Sequence, residues 1–231
     1  SLFRCCRHTP RWMEFPSGGT GAMYACWSVK GGSGTTVFAS VLALSLAERH
    51  GEACIIDFCG DVPSVLGMAE PAGRGIRDWL SSPARDAQEL VDLRIGATSR
   101  LHVIPAGSAT SFDEGALDDL VSITHDHPVV VDFGRLAPSP SVLRKVQADW
   151  LVVRSCYLAL RRAARLHNRP RGVVLMKEHG RALSTRDVQS VVGAPVVAEI
   201  TVTEGIARSV DAGLLATRIP RSLADEIAVL L

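Results

Sequence analysis

The sequence predicts a three-layer α/β fold: a mostly parallel central sheet flanked by helices. Three observations carry this. Short runs rich in Val, Ile and Ala alternate with segments of helical period from Tyr24 onward, the pattern of strands joined by crossover helices. Several of these runs are apolar at every position, as strands covered on both faces require. A glycine-rich turn, Lys30-Gly31-Gly32-Ser33-Gly34-Thr35-Thr36, separates the first run from the first helical segment.

Residues 24–29 read as the first strand and 37–49 as the first helix. The second strand is 53–57, followed by a loop through Gly60, Asp61 and Pro63. Helical turns are expected near 75–80 and 84–93, then a strand at 101–105. An amphipathic helix over 113–124 would be capped by Asp or Ser. Further strands are expected at 129–134, 150–153, 172–176 and 195–200. Helices are expected at 141–147, 157–166, 184–191, 204–212 and 222–230.

Residues 1–22 read as an extension outside the fold, disordered on its own. They have no hydrophobic period, and Pro10, Pro16, Gly18, Gly19 and Gly21 interrupt any element. Met23 stands directly before the first strand and fits a start site, so the folded domain is expected to span 23–231. A metal site on Cys5, Cys6 and His8 is disfavoured, because an adjacent Cys pair lacks the usual zinc spacing.

The chain has 231 residues, enough for one domain with a substantial core. A formal net charge of +1 does not by itself point to nucleic acid or anionic lipid. Six cysteines lack framework spacing and read as reduced thiols in a cytoplasmic protein. No apolar run reaches the roughly 18 residues that would read as a membrane span.

The glycine-rich turn carries the chemistry. Glycines between a strand and a helix let backbone N–H groups approach phosphate oxygens, and the helix N-terminus adds partial positive charge. Thr36 sits where a hydroxyl can ligand Mg²⁺. The ordinary pattern G-x-x-x-x-G-K-[ST] is not met, because its Lys would fall on Thr35. Two apolar runs end in aspartate, Asp57 and Asp132. Ligands of open parallel sheets bind beyond the carboxyl ends of the strands, so both are placed to hold Mg²⁺ or its waters.

Lys30 followed by Gly-Gly-x-Gly resembles the deviant Walker A motif of the ParA/MinD ATPases, and the form Gly-Gly-x-Gly-x-[Ser/Thr] is similar to the CpaE branch. The resemblance implies a three-layer P-loop NTPase fold that binds ATP and Mg²⁺. It implies that Lys30 is the early lysine that reaches the phosphates of the partner subunit in a homodimer. Asp132 looks like the Walker B aspartate, and Asp57 like the first aspartate of the family's Asp-x-Asp segment. The implied catalytic residues are Lys30 and Asp57. The implied nucleotide contacts are Lys30, Gly31, Gly32, Ser33, Gly34, Thr35 and Thr36, and the metal ligands are Thr36, Asp57 and Asp132.

Two departures fall on chemical positions: Thr35 replaces the in-loop lysine, and Cys59 stands where the family has a second, water-positioning aspartate. Losing one charge-assisted phosphate contact, worth roughly 1.5–3 kcal/mol, weakens binding about 10- to 100-fold. Losing a preorganised transition-state contact costs roughly 10²–10³ in rate. The expectation is a switch in cellular positioning (cell division site, partition, or pilus and secretion polarity) with weak or absent hydrolysis. The alternative is a noncatalytic scaffold that keeps the fold without cycling.

Other features point less far. His125-Asp126-His127 precedes the strand ending in Asp132, so it belongs to the sheet edge opposite the loop. Arg154, Arg161, Arg162, Arg165, Arg169 and Arg171 are the one basic concentration. Arg161, Arg162 and Arg165 are the candidates for nonspecific DNA contact, as in ParA relatives, against a solvated helix face. The C-terminal segment is amphipathic but acidic, unlike the basic membrane helix of MinD relatives.

Overall fold

The computed structural model describes residues 21–123 and 126–231. In chain order the elements are β1 (Met23–Trp27), α1 (Thr35–His50), β2 (Ala53–Asp57), α2 (Val62–Leu66), α3 (Ile76–Ser81), α4 (Ala87–Asp92), β3 (Ile95–Gly96), β4 (Leu101–Ile104), α5 (Leu117–Leu120), β5 (Val129–Gly134), α6 (Pro140–Lys145), β6 (Ala148–Arg154), α7 (Tyr157–Ala163), β7 (Gly172–Lys177), α8 (Thr185–Val192), β8 (Val196–Thr201), α9 (Glu204–Asp211) and α10 (Arg221–Ala228). The strands form one sheet in the order β3-β4-β2-β5-β1-β6-β7-β8. All neighbours are parallel except β3 with β4.

The central strands are apolar on both faces because both faces are covered. Met23, Ala25 and Trp27 of β1, with Val129, Val131 and Phe133 of β5, pack under Trp79, Leu120, Val142, Leu160 and Val188 from α3, α5, α6, α7 and α8. Cys26 of β1, Val130 of β5 and Val152 of β6 face Phe38, Leu42 and Leu46 of α1, with Leu223 and Ile227 of α10 on the same side. Full burial of one such large side chain is worth about 1.5–3 kcal/mol. These two layers hold α1 over the middle of the sheet, directly after β1.

The loop after β1 emerges at the point where the topology divides. β5, β2, β4 and β3 lie on one side of β1, and β6, β7 and β8 lie on the other. This is the crevice where open sheets take ligands. Because β1, β2 and β5 run parallel, their C-terminal ends share that edge.

β2 and β5 have the expected bounds, and most other elements lie within two residues of expectation. The helix expected over 113–124 does not form as one piece. The Asp113 carboxylate accepts from Gly115 N at 2.9 Å and opens a 3₁₀ turn at Glu114–Ala116. Gly115 then weakens the helix, and only the short α5 follows. The helix expected over 157–166 ends at Ala163, so Arg165 lies in the next turn and does not share a helical face with Arg161. Val62–Leu66, expected as loop, is a short helix started by Pro63 and closed by Gly67 in the left-handed region. Residues 1–20, with most of the extension expected over 1–22 and the Cys5, Cys6 and His8 set, lie outside the described residues, as do Thr124 and His125; Ala22, expected in that extension, accepts from Val129 N at 2.9 Å beside the sheet. No helix among the described residues is long and apolar enough to cross a membrane.

Candidate functional site

The chain leaves β1 at Trp27 and enters α1 at Thr35. In between, Gly32 and Gly34 take left-handed φ values of 71° and 93°, a conformation costly for residues with a Cβ. The loop's hydroxyls are used inward. Ser33 Oγ donates to Lys30 O at 2.6 Å. Ser28 Oγ stands 3.1 Å from Lys30 O and 3.0 Å from Gly134 O, and Ser28 N donates to Gly134 O at 2.7 Å. The serines therefore shape the turn, and Gly31 and Gly32 are left exposed on its outer side.

α1 starts with no side-chain cap at Gly34. Its first ladder bond runs from Phe38 N to Gly34 O, at 3.0 Å. The amides of Thr35, Thr36 and Val37 thus have no partner within the helix. Together with the dipole of a 16-residue helix, they form an anion-receiving end. Thr35 is buried, with 6% exposure; its side chain is in the wall, and it offers the site an amide. Lys30 is half-buried and folds over its neighbour, Nζ donating to Gly31 O at 3.3 Å.

Asp57 and Asp132 are partners in register on β2 and β5, and both are fully buried. Asp57 is engaged by its own loop: Oδ1 accepts from Cys59 N and Gly60 N, each at 2.8 Å, and Oδ2 from Val62 N at 3.0 Å. Burial raises its pKa; these three amides oppose the rise, and the nearby Asp61 charge adds to it. Asp132 differs. Its Oδ1 accepts from Gly134 N at 3.0 Å, while its buried Oδ2 has no hydrogen-bond partner among the described residues. Burial pushes its pKa up to about 7, with the Thr36 hydroxyl pulling it down, the Asp57 charge adding to the rise and the Gly134 amide opposing it.

A lone buried carboxylate oxygen beside a threonine hydroxyl, at the mouth of a turn with free amides, fits a hard divalent cation. Among the described residues no group of three or more His, Cys, Asp or Glu side chains is placed to hold a metal. The donor set therefore suits an ion that completes its shell with phosphate oxygens and water, which is how Mg²⁺ is usually bound. Asp132 and Thr36 are the residues positioned for it; Asp57 sets the loop that carries Cys59.

The Cys59 thiol occupies the end of the cleft. A Cβ added to Gly134 would fall on its sulfur. Burial, followed by the charges of Asp132, Asp57 and Asp61, pushes its pKa up to about 12. It stays protonated at neutral pH and carries no negative charge toward a water molecule.

Of the basic run, three arginines are structural. Arg154 Nη1 pairs with Glu178 at 2.5 Å. Arg171 donates to the carbonyls of Leu143, Val146 and Gln147, and Arg169 to Gly193 O at 3.3 Å. Arg161, Arg162 and Arg165 are exposed. Arg162 has a partner that sequence reasoning missed: its Nη1 donates to Val29 O at 3.3 Å, across 133 residues. Arg135, also missed, lies against the loop, its Cδ 3.3 Å from where a Cβ on Gly31 would stand. At the opposite edge, Glu52 lies 3.4 Å from His102 Nδ1 and 3.7 Å from His127 Nδ1, far from this chemistry as the topology requires.

No protein-family model matches the sequence, and no curated protein matches it. Solved structures do match. A ParA family ATPase from Chlorobium tepidum TLS superposes with a TM-score of 0.72 at 18% identity, covering 90% of this chain and 96% of that one. The septum site-determining protein MinD from Pyrococcus horikoshii OT3, complexed with Mg-ADP, gives 0.70 at 18%, covering 90% and 93%. A putative plasmid partition protein from Borrelia burgdorferi B31, bound to AMPPNP, gives 0.64 at 15%, covering 91% and 96%. The chain has the fold of the ParA and MinD ATPases, a mostly parallel eight-stranded sheet flanked by helices.

Proposed function

We propose that the protein is a nucleotide-dependent switch of the ParA/MinD/CpaE type, acting in cellular positioning such as division-site selection, partition, or pilus and secretion polarity. The observation that carries this is Asp132 Oδ2, buried and without a partner among the described residues, beside Thr36 and the amides at the head of α1. A polyphosphate with its cation satisfies all of them at once. The neighbours complexed with Mg-ADP and bound to AMPPNP support the same ligand class.

Each group has a distinct part. The amides of residues 31–36 receive phosphate oxygens; Thr36 and Asp132 hold the Mg²⁺ side. Mg²⁺, when bound, neutralises phosphate charge. Lys30, at the outer lip, is placed for the phosphates of a second copy, so the ligand would favour a homodimer. Asp57 fixes the turn after β2. Hydrolysis is weak or absent, because the neutral Cys59 thiol stands where a carboxylate would orient water, a loss of roughly 10²–10³ in rate.

Sedimentation with and without Mg-ATP tests this reading. A mass shift from one chain to two, abolished by Lys30→Ala, is expected; the same mass with and without nucleotide overturns the switch. A nucleotide-independent dimer would favour the second reading, a noncatalytic scaffold, which the buried Thr35 and the protonated Cys59 support. Nonspecific DNA contact through Arg161, Arg162 and Arg165 would show as a gel shift that fades steeply with salt.

A further inference from the structure

We propose that Arg135 and Arg162 are the phosphate-binding cations of this site, standing in from neighbouring elements for the lysine that Thr35 replaces. This rests on the nucleotide reading above and goes beyond it by naming residues outside the loop motif.

The site needs positive charge. It holds two buried aspartates, Asp57 and Asp132, and the in-loop position supplies none, since Thr35 is buried in the wall. Two arginine side chains flank the turn. Arg135 follows β5 directly, and its stem lies against Gly31. Arg162 comes from α7 on the β6 side and reaches Val29 O with one N–H, at 3.3 Å. β5 and β6 are the two neighbours of β1, so the two arginines approach the turn from opposite flanks.

Their other donors are uncommitted. Among the described residues neither arginine forms an ion pair, whereas Arg74, Arg85, Arg154, Arg171, Arg181 and Arg208 all do. Both are exposed, beside glycines that are themselves exposed. A guanidinium fork matches two phosphate oxygens at once. An arginine with one N–H resting on a backbone carbonyl can therefore swing onto a terminal phosphate and lose only a long, weak contact.

Isothermal titration calorimetry of the full chain with Mg-ATP and with AMP tests this, using Arg135→Ala, Arg162→Ala and the double variant. Arg161→Ala and Arg165→Ala, exposed on the same stretch, serve as controls. Each of the first two is expected to weaken Mg-ATP binding about 10-fold or more and AMP binding less than twofold, so that the preference for ATP collapses in the double variant. Arg162→Lys, which keeps charge but loses the fork, should fall between. The controls should bind like wild type. Normal ATP preference in the double variant, with wild-type binding intact, overturns the arginine assignment and leaves the nucleotide site standing. Equal losses for ATP and AMP would also overturn it, by showing a merely structural effect. No heat with wild type refutes both.

Discussion

Asp57 and Asp132 sit side by side on adjacent parallel strands, yet of their four carboxylate oxygens only Asp132 Oδ2 lacks a hydrogen-bond partner among the described residues. The pair looks symmetrical in sequence, each aspartate closing an apolar run. In structure one is a fastener and the other is an open valence.

The two should respond oppositely to amidation. Asp57→Asn keeps one acceptor but turns an NH₂ toward an amide donor, so it should destabilise by about 1–3 kcal/mol. Asp132→Asn removes a buried charge and should raise the melting temperature of the ligand-free protein at pH 8. Thermal melts of both variants check this; a lower melting temperature for both contradicts the contrast.

The gain from Asp132→Asn should depend on pH. Burial holds the Asp132 pKa at about 7 in the folded protein, above the ordinary 3.8, so the folded state binds more protons than the unfolded state between roughly pH 4 and 7. Its contribution to stability is fully present below the unfolded value and is lost as pH rises through the folded one. Wild type and Asp132→Asn should therefore converge at low pH, separate between roughly pH 4 and 7, and keep a nearly constant difference above that. Metal binding at Asp132 requires the ionised form, so Mg-nucleotide affinity should climb over the same window and release a proton, readable as a buffer-dependent heat.

Cys59 should alkylate slowly. With its pKa pushed up to about 12 from an ordinary 9.0, its thiolate fraction at pH 8 is about a thousandth of that of an ordinary thiol. Iodoacetamide labelling followed by peptide mass spectrometry should show a rate that rises about tenfold per pH unit from pH 8 to 10. A plateau by pH 9 would contradict the buried, carboxylate-flanked setting.

Gly67→Ala should be poorly tolerated. Gly67 closes α2 at φ 75°, and a Cβ there would run into the carbonyl oxygen of Gly213, backbone that no rotamer change can move. A loss of roughly 2–3 kcal/mol is expected, seen as a drop of several degrees in melting temperature. Gly32→Ala, also at positive φ but with nothing within 4 Å of the added atom, should cost about 1–2 kcal/mol from conformation alone.

Much of this was legible in the sequence because the relevant signals are local. The apolar runs that lead into Asp57 and Asp132 marked β2 and β5, and three glycines within four residues marked the turn. What was not legible came from distant contacts or from elements too short to have a period. β3 has two residues and carries no pattern. Arg154 and Arg171 read as surface charge, but their partners lie 24 to 28 residues away in the sequence. The approach of Arg162 to Val29 spans 133 residues and left no trace in the spacing. Thr35 and Cys59 were recognisable as departures, but their protonation and burial needed coordinates.

The Gly134 peptide gives the cleft a lever. Its amide holds Asp132, and its carbonyl receives both the amide and the hydroxyl of Ser28 at the root of the glycine turn. A change of charge on the carboxylate would therefore act on a residue whose carbonyl is fastened to the glycine turn. Asp132 and the root of the glycine turn are thus one residue apart in hydrogen bonds, joined through the amide and the carbonyl of Gly134 with no side chain between them.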